Sequence, residues 1–248
     1  QTEIKVGQIK GPSERLYNWR TGHSPDYKKL EYNDKSIKIE NTSYLKTDSD
    51  FATGSSGEMS VSFYFKSTDT TLRNVITIGD NFVIDSDSGT LRVKLKLQSD
   101  SSSQQTSWAS SQDGNYIITY NGTGDADAIK LYKNSVLQTT SAMSVGAKKA
   151  IVDKLQVGNG STEDKFDEIS IWDKALTQPE IDSIYNTGIA VDLLSHASNA
   201  NLVSYYRMGD HPSDPEIRPF QGYIINDSKG TNHLKVKGNA PSTYAEPL

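Results

Sequence analysis

The chain has 248 residues, no cysteine and a formal net charge of −5. Thiol catalysis, disulfides and sulfur-ligated metals are therefore excluded, and a nucleic-acid partner is disfavoured, the more so because no dense Arg/Lys stripe with interleaved aromatics occurs. Only 34% of residues are hydrophobic, yet 13 Tyr, 6 Phe and 3 Trp argue against disorder and supply core material suited to sheets.

Residues 1–35 carry mixed, turn-like segments and are expected to form an N-terminal arm. Gln1 in place of an initiating Met leads to the expectation of a processed or trimmed chain. From Ser36 the alternation sharpens. SIKIE places Ile37 and Ile39 on one face, and MSVSFYFK places Met59, Val61, Phe63 and Phe65 on one face at period two, the clearest half-buried strand. LRNVITIGD predicts a strand closed by Gly79-Asp80. A hairpin turning at Asp87-Ser88-Gly89 follows, with Leu91, Val93, Leu95 and Leu97 on one face. Ser99–Asp113 is expected to be a long polar loop around Trp108. NYIITYNG predicts a strand, and IKLYKNSVL a hairpin tipped by Lys133-Asn134-Ser135. KLQVGNG, FDEISIW and NLVSYYRMGD predict further strands, and residues 223–237 add a turn at Gly230 and a last strand. About a dozen short strands separated by Gly/Asn/Asp turns predict an all-β, two-sheet antiparallel sandwich over residues 36–248, with the C-terminal strands rejoining the sheets.

One helix interrupts this pattern. Thr177-Gln-Pro-Glu180 reads as a capping box, Leu176 and Ile181 as a hydrophobic staple, Ile181, Ile184 and Tyr185 as a narrow apolar stripe, and Gly188 as the exit. The expected helix is short, near 178–186. It needs its caps and packed face, because so short a helix is marginal alone. Upstream, Ile169 and Ile171 share one strand face, with Glu168, Ser170 and Trp172 on the other.

The run GNGSTEDKFDEISIWDKALTQPEIDSIYNTG resembles the closing signature of laminin G-like and pentraxin-like jelly rolls of the concanavalin A-like lectin/glucanase superfamily. The matching residues are Gly158-Asn159, Asp167-Glu168, Ile171-Trp172, Ala175-Leu176-Thr177, Glu180-Ile181, Tyr185-Asn186 and Gly188. IKLYKNSVL resembles the family's Leu-Tyr-x-Asn-Gly hairpin with Ser135 where Gly is usual, and MSVSFYFK its early strand with Tyr64 and Phe65 replacing Trp and Val. NLVSYYRMGD and INDSKGTNHL resemble a tail seen in some members, including phage-particle proteins.

The resemblance implies a jelly roll and leaves the activity open, since this fold hosts binding modules and enzymes alike. The favoured reading is a non-enzymatic recognition or assembly module for glycan or protein surfaces. It would work outside the cell, at a cell surface or in a virion, with neighbours or further copies gripped through the arm, and without membrane insertion. A secreted carbohydrate-binding protein and a polysaccharide hydrolase or lyase are the alternatives. For hydrolysis, the glucanase-type run would fall on Glu168-Ile-Ser170-Ile-Trp172-Asp173, where Ser170 replaces the central carboxylate and Glu168 and Asp173 are oddly spaced. Trp108, Tyr116, Tyr120 and Tyr205 are candidate ligand contacts. Relatives often bind Ca²⁺, for which Asp80, Asp85, Asp87, Glu163, Asp164 and Asp167 are candidate ligands, with Asp210 and Asp214 as a further oxygen cluster.

Overall fold

A computed structural model describes residues 33, 35–39, 42–52, 57–96, 103–107, 113–123, 127–138, 152–159, 164–214, 223–238 and 243–245. The expected arm apart from Asn33 and Lys35, together with Trp108, Leu97 and Glu163, lies outside the described residues.

Alternating apolar residues build two eight-stranded sheets, paired antiparallel throughout. The first runs β11 (Val136–Leu137), β10 (Ile129–Lys133), β9 (Asp113–Tyr120), β4 (Met59–Lys66), β14 (Asp164–Trp172), β1 (Ser36–Ile39) and β18 (Thr243–Ala245), with β15 (Leu202–Tyr206) also paired to β14. The second runs β16 (Ile224–Ile225), β17 (Leu234–Lys237), β2 (Tyr44–Thr47), β13 (Leu155–Val157), β5 (Arg73–Ile78), β6 (Phe82–Asp87), β7 (Thr90–Lys96) and β8 (Ser103–Ser107). A two-stranded ribbon joins β3 (Phe51–Ala52) to β12 (Val152–Asp153). Among the described residues the architecture is an all-β antiparallel jelly-roll sandwich with one short α-helix.

The main core lies between the sheets. Val61, Phe63 and Phe65 of β4 meet Leu45, Ile76, Ile84 and Val93, all fully buried. The Tyr116 ring stacks on Phe63 at 5.7 Å, and Phe65 meets Phe166 at 5.2 Å. A second core lies on the outer side of the first sheet, where Trp172, Leu176, Ile181, Ile184, Leu193, Leu202 and Tyr205 cluster. It changes the expected character of β4: the strand is buried on both faces. Its outward residues are polar pegs under the second core. Ser60 Oγ donates to Lys174 O at 2.7 Å and accepts from Leu176 N at 3.0 Å.

The helix spans Gln178–Tyr185 and forms the expected capping box. Glu180 Oε2 accepts from Thr177 N and from the Thr177 hydroxyl, both at 2.8 Å. The exit comes earlier than Gly188: Asn186 is the left-handed C-cap at φ 42, and Thr187 follows at φ 58. Burial pushes the Glu180 carboxyl up, but hydrogen bonds from Lys174, Ser198 and Thr177 outweigh it and hold the group at about 2. Glu180→Ala is therefore expected to lower stability by about 1–2 kcal/mol in urea unfolding, and Thr177→Ala by less, because the Glu180 carboxylate holds the cap, Lys174 and Ser198 together.

The hairpin tip also departs from its expected chemistry in a way that contacts explain. Asn134 and Ser135 have φ 50 and 67, the signs of a type I′ turn, which glycine adopts without strain. Ser135 is kept there by its ties to the helix: its hydroxyl donates to Asp182, and its carbonyl accepts from Gln178 Nε2 at 2.9 Å. Between Ser99 and Asp113 the expected loop contains β8, an edge strand of sequence SQQTS. It pairs through its backbone with β7 and has no apolar alternation to announce it.

Candidate functional site

The first sheet changes partners at one point. β14 is flanked by β1 over Asp164–Phe166 and by β15 over Ile169–Trp172, while β4 runs along its other side. At the changeover its register with β4 slips between Asp167 and Ser170, a bulge, and Glu168 takes φ 48. A non-glycine residue in this region costs about 1–2 kcal/mol. Asp167 helps hold it, its Oδ1 accepting from Glu168 N at 2.9 Å.

Three side chains from two segments converge on the Glu168 carboxylate. Tyr205 of β15 donates its hydroxyl to Oε2, Arg207 Nε stands 3.8 Å from Oε1, and Asn33, with its amide oriented to donate, reaches Oε1 at 3.1 Å and Asp210 Oδ2 at 3.3 Å. Lys35 N also donates to Asp210 Oδ2 at 3.2 Å. The approach to β1 is thus tied to the exit of β15 through the bulge. Burial pushes the Glu168 carboxyl up to about 7 against the opposing pull of Tyr205 and Arg207. Burial and the adjacent Glu168 raise the Tyr205 phenol well above its ordinary value.

Above Glu168 is a recess lined by Ser62, Tyr64, Asn115, Ile184, Ala190, Val191 and Leu193. Register explains its floor. Tyr64 faces Asp167 on β14 and Asn115 on β9, and Ser62 faces Ser170, so the bulged Glu168 falls between the two β4 residues.

The aromatic candidates fall in the cores. Tyr116 and Tyr120 turn inward between the sheets, and Tyr205 is buried under the helix, so these rings are packing residues and not a surface platform. The acidic candidates do not converge either. Asp80 is exposed in the β5–β6 turn. Asp85 and Asp87 both pair with Arg92, at 2.8 Å in each case, and Lys94 also reaches Asp85. Asp164 is gripped by Arg73 on both oxygens, at 2.9 and 2.5 Å. Asp167 is buried in the bulge. Asp214 accepts from Gly209 N and Asn226 N, which places amide donors and not a cation at its oxygens. Among the described residues no group of three or more His, Asp or Glu is placed to hold a metal ion.

A laminin G-like family model, described as the concanavalin A-like lectin/glucanases superfamily, matches residues 40–182, more than half of the chain. The chain belongs to the concanavalin A-like lectin/glucanase superfamily. No curated protein matches it. Among solved structures, it is similar to a Bacteroides ovatus protein described as a candidate carbohydrate-binding protein, with 12% identity and TM-score 0.58, over 86% of this chain and 60% of that one. The chain thus spans about three fifths of that structure's length, and at this identity the likeness concerns the fold. A heptameric SAP-like pentraxin of Limulus polyphemus matches at 16% identity and TM-score 0.47, over 62% of this chain and 82% of that one. The receptor-binding domain of a botulinum neurotoxin C/D mosaic serotype matches at 15% and 0.46, over 62% and 45%.

A superfamily that includes glucanases makes the carboxylate pair worth locating. Glu168 and Asp173 do not share a site: Glu168 is buried in the bulge against Tyr205, whereas Asp173 lies just beyond the end of β14. Asp173 instead accepts from Asn201 Nδ2 at 3.0 Å. A serine–histidine contact, not legible from the sequence, does join Ser183 Oγ to His196 Nε2 at 2.7 Å. His196 Nδ1 accepts from Ser198 N at 3.1 Å, so the proton sits on Nε2 and points at the serine. Burial lowers the histidine's proton affinity further. This tautomer donates to Ser183 and cannot take its proton, so the pair fastens the helix to the 196–198 turn.

The two sheets of this superfamily member present different outer faces. The first is roofed by the helix and the second core. The second carries an unbroken register row of half-exposed side chains: Lys235, Lys46, Gln156, Thr77, Val83 and Lys94, one from each of six adjacent strands. At about 4.8 Å per strand, the row extends about 24 Å. Lys46 and Lys235 are directly opposite, a like-charge arrangement that costs stability. Among the described residues no apolar cluster packs on this face.

Proposed function

We propose that the chain is a non-catalytic recognition module that binds carbohydrate, foremost acidic glycans, on the outer face of the second sheet, in a secreted or surface-attached setting. The observation that carries this reading is the Lys235–Lys46–Gln156–Thr77–Val83–Lys94 row. Ammonium, amide and hydroxyl groups at regular spacing suit a hydroxyl-rich chain. The opposed lysines, with Asp48 beside Lys235 and Lys237 as the counter-charge, favour a carboxylate or sulfate on it. Superfamily membership supports a binding role, and the separation of Glu168 from Asp173 supports a non-catalytic one. The alternative, an assembly role such as a virion component, draws on the tail pattern. In this fold β15 joins the first sheet and β17 the second, so the tail contributes to the sandwich itself.

An array of neutral and acidic glycans, read with and without chelator, tests the proposal and the calcium expectation together. Binding to acidic glycans is expected to weaken with salt and to fall at least tenfold in a Lys46→Ser/Lys235→Thr variant. No binding under any condition, or binding undiminished in that variant, overturns it.

A further inference from the structure

The recess over Glu168 lies on the opposite side of the sandwich from the lysine row and is independent of it. Its floor breaks three local rules at once. Glu168 is a non-glycine residue at φ 48 in the middle of a sheet. Its carboxylate is 5% exposed. Asn115 is 1% exposed, and its Oδ1 has no hydrogen-bond partner. Each is a cost of about 1–3 kcal/mol, and such costs collect where a ligand repays them.

The floor offers acceptors from three adjacent strands: the Glu168 carboxylate, Asn115 Oδ1, and the Ser62 and Tyr64 hydroxyl oxygens. The Tyr64 hydroxyl has only a long, 3.5 Å contact with Tyr185 O. The walls are aliphatic: Ile184 of the helix, and Ala190, Val191 and Leu193 of the segment that follows. The recess is about 230 Å³ counting its open mouth, and the room left for an occupant is about one group the size of a water molecule. That is far too small for a sugar ring or drug-sized ligand. It suits a single head group on a thin apolar stem.

A primary ammonium has three donors, no acceptor and a positive charge, and its alkyl stem packs on aliphatic walls. We infer that the recess formed by Glu168, Asn115, Ser62 and Tyr64 beneath Ile184 and Val191 is a binding slot for a primary alkylammonium group, of the kind a lysine side chain or a free alkylamine carries. Arg207, 3.8 Å from Oε1, is the competing cation; Asn33 also donates to Oε1 and Tyr205 to Oε2, so an entering donor uses a remaining lone pair of the carboxylate and not a whole free oxygen.

The test is a titration followed by two-dimensional amide NMR, with n-butylamine hydrochloride, Nα-acetyl-lysine methylamide and n-butanol as probes at pH 8. Both ammonium probes are expected to shift the Asn115 side-chain amide and the backbone amides of Glu168 and Val191, and n-butanol is expected not to. Response to the lysine probe alone would assign the slot to protein partners, and equal response to both ammonium probes to alkylamines at large. Glu168→Gln is expected to weaken binding at least tenfold. Ala190→Trp, which closes the mouth and leaves the floor intact, is expected to abolish it, and guards against a Glu168→Gln variant that does not fold. Equal response to butanol, shifts centred away from the recess, or affinity unchanged in Ala190→Trp overturns the inference.

Discussion

Replacing Asp164 with alanine is expected to remove about 3–5 kcal/mol of folding stability, the largest loss from any single substitution considered. Arg73 and Asp164 are 7% and 0% exposed, one from the second sheet and one from the first. All five guanidinium donors are used. Nε and one Nη2 donor go to Asp164, Nη1 donates to Asp69 O at 2.8 Å and Thr71 O at 2.9 Å, and the remaining Nη2 donor goes to Ser67 Oγ at 2.9 Å. Removing the carboxylate leaves a buried guanidinium whose remaining counter-charge is Asp69, 3.8 Å from Nη1, and this costs far more than the pair itself contributes. The double replacement Arg73→Met/Asp164→Leu is therefore expected to be much less damaging than Asp164→Ala alone, although it frees Asp69 O and Thr71 O. Urea unfolding of the two variants and the parent measures this directly. A loss below about 1 kcal/mol for Asp164→Ala would show that the guanidinium escapes to solvent and that the pair does not clamp the sheets.

That pair also marks the boundary of what the sequence alone discloses. Period-two alternation in MSVSFYFK and SIKIE identifies the core faces, because a strand exposes its pattern within a few residues. The helix is legible for the same reason: Leu176, Thr177, Glu180 and Ile181 are all local. What fails is non-local. Ser60, Ser62 and Tyr64 look like a solvent face, and only a helix more than a hundred residues later buries them. Asp164 looks like a cation ligand until Arg73 arrives from the other sheet, whereas the Arg92 that pairs with Asp85 and Asp87 lies across their own hairpin. Tyr116 and Tyr120 have no sequence mark separating a ring that stacks on Phe63 from one that stacks on sugar. Glu168 was visible as an acid in a strand. Its left-handed backbone and its place over Asn115 follow from a partner exchange between β1 and β15, segments far apart in the chain. The lysine row is equally hidden, since its six members come from six strands and meet only through register.

Glu168→Gln is expected to abolish a loss of stability that the parent protein suffers as pH rises from about 4.5 to about 7. The sign follows from linkage. The folded state holds the Glu168 proton up to about 7, whereas the free side chain releases it near 4.5. The folded form thus binds more protons than the unfolded one across this window, and stability is greatest below it and falls through it. The full loss, present at pH 8, is about 3 kcal/mol. Glutamine keeps an oxygen to accept from Tyr205 and carries no charge to bury, so the variant is expected to be the more stable protein at pH 8 and the less pH-dependent one. Two other groups titrate nearby. Burial also raises Asp214, which adds to the fall. His196, lowered by burial, acts oppositely, since its contribution is present at neutral pH and lost as pH drops below its unfolded value. The difference between the two stability curves isolates Glu168, because both other groups remain in the variant. Parallel curves from pH 4 to 8 would show that the carboxylate is not the group that titrates. Diverging curves would mean that the free protein carries a buried charge at neutral pH at its own expense. A carboxylate in that condition has free energy to give to a cationic head group, so the ammonium probe should restore at pH 8 part of the stability that glutamine restores permanently.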